Sequence, residues 1–329
     1  MDIYDVTIIG AGPTGLFAAF YAGLREMRSK IIESLPEVGG QVITLYPEKY
    51  IYDIAGIKKI LGKDLIKDLY EQSITFSPTF CLNETASIIR HLPNGIIEIE
   101  SDKGKHFTKT LIITAGIGAF SPNKLNVLGL EKFEGKGVSY AIRDKTSLKG
   151  KSVLIIGGGN SAVDWALNLD GWCKKVTLIH RRDGFRALER SLAELSSSNV
   201  EVKPFYELKE VNGNNKVEEA IICDNRTKEE TTLPVSSILI FVGYKANLGA
   251  IKNWGLKIDG RHIKVDAKMR TNLPGVFAAG DLSSQYDGVK LNLIAMGFAE
   301  AAIAVSQAKK ILDPLAPTFE HSTEKGIKL

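Results

Sequence analysis

Two glycine patterns carry the chemistry of this chain: Gly10-x-Gly12-x-x-Gly15 and Gly157-x-Gly159-x-x-Ala162, each following an apolar run. Small residues at this spacing serve a tight turn, close approach of backbone to a pyrophosphate, and close helix–strand packing. The helix that opens at Pro13 and Thr14 offers unpaired N–H groups and a positive dipole end to phosphate oxygens. In the second pattern Asn160 and Ser161 add donors of their own. One such pattern is a weak signal. Two imply two dinucleotides held by one protein, and the usual reason to hold two is to pass electrons between them.

The residue at the end of the following strand separates the two sites. Glu33, 18 residues past Gly15, is placed to accept from a ribose diol, and its charge disfavours a 2′-phosphate. The first site therefore suits FAD or NAD. Gly40 and Gln41, with Asp281 behind Ala278-Ala279-Gly280, move the choice to FAD, since a carboxylate there can accept from ribityl hydroxyls. An apolar helix starting near Asn292 would favour negative charge on a reduced flavin. In the second site the corresponding place reads His180-Arg181-Arg182, with Arg186 four residues on. Guanidinium groups suit a 2′-phosphate, bidentate and always charged, so this site is expected to take NADP(H). A solvated basic turn that binds nothing is the alternative.

The elements that must position these residues follow from patterning. Asp5–Ile9 reads as a buried parallel strand, Pro13–Met27 as a helix and Lys30–Glu33 as a second strand, a β-α-β unit. Gly62–Ile74 has helical spacing. Ala86–Ala115 reads as antiparallel hairpins and Gly116–Pro122 as a glycine-containing break. A second unit follows in Ser152–Ile156, Ser161–Leu169 and Lys175–Ile179, with further strands at Val200–Pro204, Val217–Cys223 and Ile238–Val242. An apolar helix spans about Asn292–Ile311. The expected fold is α/β, with two Rossmann-like, three-layer nucleotide-binding domains. The NADPH domain, residues 117–244, is inserted into an FAD domain of residues 1–116 and 245–329.

Composition narrows the partners. A net charge of +4 on 329 residues is too small to argue for nucleic acid, though a local basic face remains open. No run approaches the roughly 18 apolar residues of a membrane span. The first nine residues hold two aspartates and no basic residue, so no signal peptide and a cytoplasmic location are expected. Cys81, Cys173 and Cys223 lie far apart without a Cys-x-x-Cys, so neither a metal site nor a local redox pair is expected.

The order of these motifs, with Gly39-Gly40-Gln41, Gly157–Ala162, the run His180–Ala187 and Pro274–Asp281, resembles the thioredoxin reductase-like flavoproteins over nearly the whole chain. Thioredoxin reductases carry a Cys-x-x-Cys after Val-Ser-Tyr; here Val138-Ser139-Tyr140 is followed by Ala141-Ile142-Arg143-Asp144, without cysteine. The chain is closer to ferredoxin(flavodoxin)–NADP reductases of the thioredoxin reductase-like type, through Leu45–Asp53, Gly118–Phe120, Ser161–Leu167 and His321-Ser322-Thr323. That resemblance implies Tyr46 stacked on one flavin face and His321, from the tail, on the other. It implies polar contacts from Gln41, Asp53 and Thr323, and Ala86 and Phe120 holding the adenine end or lining the pocket. It also implies a homodimer with the tail of one subunit over the flavin of the other, and ferredoxin or flavodoxin as partner. Lys145, Lys149, Lys151, Lys174 and Lys175 are candidates for a basic docking face. Two other readings stay open: a related enzyme with dioxygen, a quinone or a disulfide protein as acceptor, and a non-catalytic NADPH-sensing flavoprotein.

Overall fold

The computed structural model describes residues 2–285 and 290–317, apart from the side chains of residues 119, 120 and 246. The chain divides into two compact units, Met1–Phe120 with Ala246–Leu329, and Ser121–Lys245. The second thus interrupts the first in sequence. Both are Rossmann-like.

In the first unit the strand Ile3–Ile9 lies between Ser29–Ile32 and Lys105–Ile113, parallel to both. A strand flanked and covered on both faces has no use for polar alternation, which is why Val6, Ile8 and Ile9 are all buried. Thr79–Cys81 extends the sheet at one end, and an antiparallel meander of Ala86–His91 and Ile97–Ser101 extends it at the other. Val276–Ala278 also pairs with Leu111–Ile113. The registers Ile9↔Ile32 and Ile9↔Ile113 bring three strand ends level, so the loops leaving them share one edge. The alanine-rich helix Pro13–Leu24 packs against the long helix Ile294–Leu312, with Phe17 against Phe298 and Thr14 beside Gly297.

The second unit has five parallel strands in the order Val138–Ser139, Ser237–Ile240, Ser152–Ile156, Lys175–His180, Glu201–Pro204. Alternate residues of its central strand serve two cores. Val153 and Ile155 pack with Trp165 of the helix Asn160–Leu169, while Leu154 and Ile156 pack with Ile222 and Leu233. The latter two belong to an antiparallel sheet of Tyr206–Asn212, Glu219–Asp224 and Glu230–Pro234.

Several boundaries differ from the sequence reading. The first helix ends at Leu24 rather than Met27, because the chain turns through Glu26 at φ +52°. The last helix begins at Ile294, not Asn292. The glycine-containing break contains a short strand, Ala119–Pro122. Among the described residues no helix is long and apolar enough to cross a membrane, and no group of His, Cys, Asp or Glu side chains could hold a metal ion.

Candidate functional site: two glycine-turn clefts

The level strand ends of the first unit open into a cleft of about 430 Å³, lined by Gly10, Gly12, Pro13, Thr14, Glu33, Gly40, Gln41, Tyr46, Ala86 and Asp281 among others. Its glycines have separate jobs. Gly10 sits at φ +106°, and a Cβ there would stand 2.7 Å from the Thr114 carbonyl oxygen. A Cβ on Gly15 would stand 1.9 Å from the Gly10 carbonyl oxygen, so helix and turn meet without room for a side chain. Gly12 differs. Its backbone is extended, at φ −70°, and a Cβ would meet nothing within 4 Å. No protein atom requires glycine there; the space a Cβ would fill is an open cradle at a helix start, as a pyrophosphate needs.

Glu33 is buried and holds the turn. Its Oε2 accepts from the Ala11 N–H at 2.7 Å, and its Oε1 from the Leu35 N–H at 2.9 Å and the Ser34 hydroxyl at 3.2 Å. Across the cleft, Gln41 Nε2 donates to Asp281 Oδ2 at 3.2 Å. Beneath Asp281 lies a support that the motifs do not reveal. The buried Glu300 accepts from the Gly280 N–H at 2.6 Å and the Ser283 hydroxyl at 2.8 Å, and Lys290 Nζ donates to the Gly280 carbonyl at 2.8 Å while lying 3.4 Å from Glu300. The one sequence signal was a lone acid in the apolar helix.

Tyr46 lines the cleft. Burial, then the charges of Asp281 and Asp53, push its phenol pKa well up, so it stays neutral. Asp53 itself is exposed and lies outside the cleft lining; its influence reaches the cleft through that charge. Asn292 is also outside the lining, because the helix starts two residues later. Leu293 and Ile294 line the cleft instead, and no side chain caps the helix start, leaving its first N–H groups without helical acceptors. The side chain of Phe120, and His321 and Thr323 entirely, lie outside the described residues.

The second unit opens a cleft of about 740 Å³ behind its central strand, lined by Gly157, Gly158, Gly159, His180, Arg181, Arg182, Arg186 and the wall Tyr206–Leu208. A Cβ on Gly157 would stand 2.4 Å from the Phe241 carbonyl oxygen and 2.9 Å from the Ala162 Cβ. Ala162 is therefore a packing residue beneath the turn. Gly159, like Gly12, has room: the nearest atom to its Cβ would be the Arg186 carbonyl oxygen, at 4.0 Å. Gly158 is covered by the His180 ring, 2.2 Å from where its Cβ would be. Burial, then Arg181 and Arg182, pull the His180 pKa down. Asn160 and Ser161 do not line this cleft. Asn160 instead uses its side-chain oxygen to accept from the Leu188 N–H at 2.9 Å, and the Arg186 N–H donates to the Gly158 carbonyl at 2.6 Å. The arginine loop is thus tied back to the glycine turn.

Cys81, Cys173 and Cys223 are free thiols, and burial raises the pKa of Cys81 and Cys173. Neither site contains a dithiol. Two glycine-turn clefts with opposite polar chemistry, on two Rossmann-like sheets, define a two-dinucleotide α/β oxidoreductase architecture.

Comparison with known proteins agrees. Residues 4–308 match the pyridine nucleotide-disulphide oxidoreductase family, and the chain belongs to it. It is 50% identical over 327 residues to a ferredoxin–NADP reductase of Sulfurisphaera tokodaii, covering 98% of both chains. It is 52% identical over 326 residues to ferredoxin–NADP reductase 1 of Sulfolobus acidocaldarius, covering 98% of this chain and 99% of the relative. Among solved structures, thioredoxin reductase from T. acidophilum superposes with a TM-score of 0.81 at 28% identity, covering 96% of this chain and all of that one.

Proposed function

We propose that the chain is an FAD-dependent NADPH–ferredoxin (or flavodoxin) oxidoreductase, with FAD in the cleft behind Gly10 and NADP(H) in the cleft behind Gly157. The observation that carries this is the contrast at the two strand ends: a buried carboxylate at Glu33, exposed guanidinium groups at Arg181 and Arg182. The lack of a dithiol removes the internal route to thioredoxin, and the curated relatives at half identity bear the matching name. Bound flavin would supply the step from a two-electron hydride donor to a one-electron carrier.

The chain's own residues would bind and orient. Gly12 and the Pro13–Thr14 helix start hold the pyrophosphate, and Glu33 takes the ribose while clipping the turn. Gln41 and Asp281, which follows the Gly280 that Glu300 and Lys290 hold, take the ribityl end, and Ala86 borders the adenine end. The uncapped helix start at Leu293–Ile294 favours negative charge there, and neutral Tyr46 supplies an aromatic wall. In the second cleft Gly159 leaves room for a pyrophosphate, and Arg181, Arg182 and Arg186 face the 2′-phosphate. The resemblance adds Asp53, Phe120 and Thr323 to the flavin site. It also adds His321 as a tail residue that covers the flavin in trans within a homodimer; sedimentation of the holoenzyme tests that assembly.

Docking of an acidic carrier rests on the basic face. Lys145 and Lys149 place their ammonium groups 5.0 and 5.4 Å from the ring centre of Trp172, whereas Lys175 is spent on an ion pair with Glu201. The deciding experiment is anaerobic addition of NADPH or NADH to the purified yellow protein, followed by cytochrome reduction with and without ferredoxin. Flavin bleaching by NADPH, little by NADH, and strong ferredoxin dependence are expected. Bleaching without a ferredoxin effect would mean a different acceptor. No bleaching would leave a nucleotide-binding sensor.

A further inference from the structure

The loop that presents Arg181, Arg182 and Arg186 leaves its strand at His180 and is tied back at its far end by Arg186 and Asn160. Its near end is held from elsewhere. Asn225, in the turn between the strands Glu219–Asp224 and Glu230–Pro234, donates from Nδ2 to the Arg181 carbonyl oxygen at 2.8 Å. The turn carrying Asn225 is itself built stiff. Asp224 accepts from the backbone N–H of Arg226 at 2.8 Å and of Thr227 at 3.2 Å, and pairs with the Arg226 guanidinium at 3.0 Å. That guanidinium lies 3.8 Å over the ring of Phe205, whose backbone holds φ +66° and whose carbonyl accepts from the Asn225 N–H at 2.8 Å.

We propose that Asn225 is a specificity-determining positioning residue: by holding the Arg181 carbonyl it fixes the arginine pair where a 2′-phosphate is read. The proposal rests on the NADP(H) reading of this cleft. Charge alone does not give discrimination, because a bidentate guanidinium–phosphate contact depends on the backbone that aims it. Arg181 and Arg182 are exposed, so without the tether at Arg181 the pair would sample orientations and lose part of its preference. The pyrophosphate end, anchored on the glycine turn, would not notice.

Binding of two fragments by the holoenzyme tests this without turnover: 2′,5′-ADP, which carries the 2′-phosphate, and 5′-AMP, which does not. In Asn225→Ala, affinity for 2′,5′-ADP should fall about three- to tenfold, the range of one hydrogen bond, with 5′-AMP unchanged. Asn225→Gln, which keeps a donor, should recover part of the loss. An Asn225→Ala ratio equal to that of the unsubstituted protein overturns the proposal, as does an equal loss for both fragments, which is the mark of a merely structural role. If the unsubstituted protein fails to prefer 2′,5′-ADP, the NADP(H) reading itself falls. Should Asn225→Ala not fold, Asn225→Ser carries the same comparison.

Discussion

In the first unit the carboxylate of Glu33 turns inward and clips the glycine turn through Ala11 and Leu35. In the second, the arginines at the equivalent place are exposed, and the turn is clipped by backbone and by Asn160. The steric problem is shared. Gly12 and Gly159 both leave space for a ligand, and the residues on either side of each close the helix onto the strand. What differs is where the charged group spends its hydrogen bonds. A carboxylate buried and bonded within the protein belongs to a site that keeps its ligand. Guanidiniums left to solvent belong to a site that exchanges one. On the proposed function, one cleft acts as a holder and the other as a dock.

The sharpest way to break this comparison is to fill the two cradles separately. Gly12→Ala adds a methyl group that touches no protein atom, on a backbone any residue adopts, so the fold should survive while FAD affinity drops on the order of tenfold to a hundredfold, as for overpacking. The flavin-to-protein absorbance ratio and the melting temperature of the apoprotein read this directly. Gly159→Ala should leave flavin content intact and weaken only NADPH. A Gly12→Ala protein that stays fully yellow would mean that the cradle is not where the phosphates sit.

The charge at the dock is tested next. Replacing Arg181 and Arg182 together by Ala removes two charge-assisted contacts, each worth about 1.5–3 kcal/mol. Turnover efficiency with NADPH should fall at least about a hundredfold, while NADH is little changed. Equal losses with both cofactors would show the arginines acting on the fold or on the pyrophosphate instead. A smaller effect concerns the carrier. If the lysines around Trp172 form the docking face, ferredoxin reduction should slow severalfold as salt rises and screening shortens below about 10 Å. Lys149→Glu should add to that loss. A flat salt profile removes the basic face.

What the sequence made legible follows the same divide. The glycine turns are local, so their spacing showed them. Glu33 and Arg181 were found because strand length fixes where the next strand ends. The supports were not visible, because each joins distant segments: Glu300 to Gly280, His180 to Gly158, Asn225 to Arg181. The strand Tyr206–Asn212 escaped notice because a register shift between Leu208 and Glu210 breaks its alternation. Glu230–Pro234, at the opposite edge of the same sheet, carries charge and proline, the composition edges favour. The six-residue helix Gly40–Leu45 is held in place by Gly39 at φ +113° and by packing rather than by any long periodicity.

The smallest effect separates the two carboxylates that stiffen the sites. Glu33 lines the first cleft; Asp224 lies outside the lining of the second. The Arg226 guanidinium and the backbone N–H groups of its turn bring the Asp224 pKa down to about 2, against an ordinary value of about 3.9. The folded state therefore binds fewer protons than the unfolded one across that window. The stability Asp224 contributes is fully present above about pH 4 and is lost as pH falls through about 2. Asp224→Asn should melt a few degrees lower near neutral pH, and its melting curve should converge with that of the unsubstituted protein as the acid limb is descended. Its flavin content should not change, whereas its affinity for 2′,5′-ADP should fall, because the turn that carries Asn225 is loosened. Parallel melting curves at all pH values would mean that the pair with Arg226 does not stiffen the turn. A loss of flavin would mean that holder and dock are not separately supported.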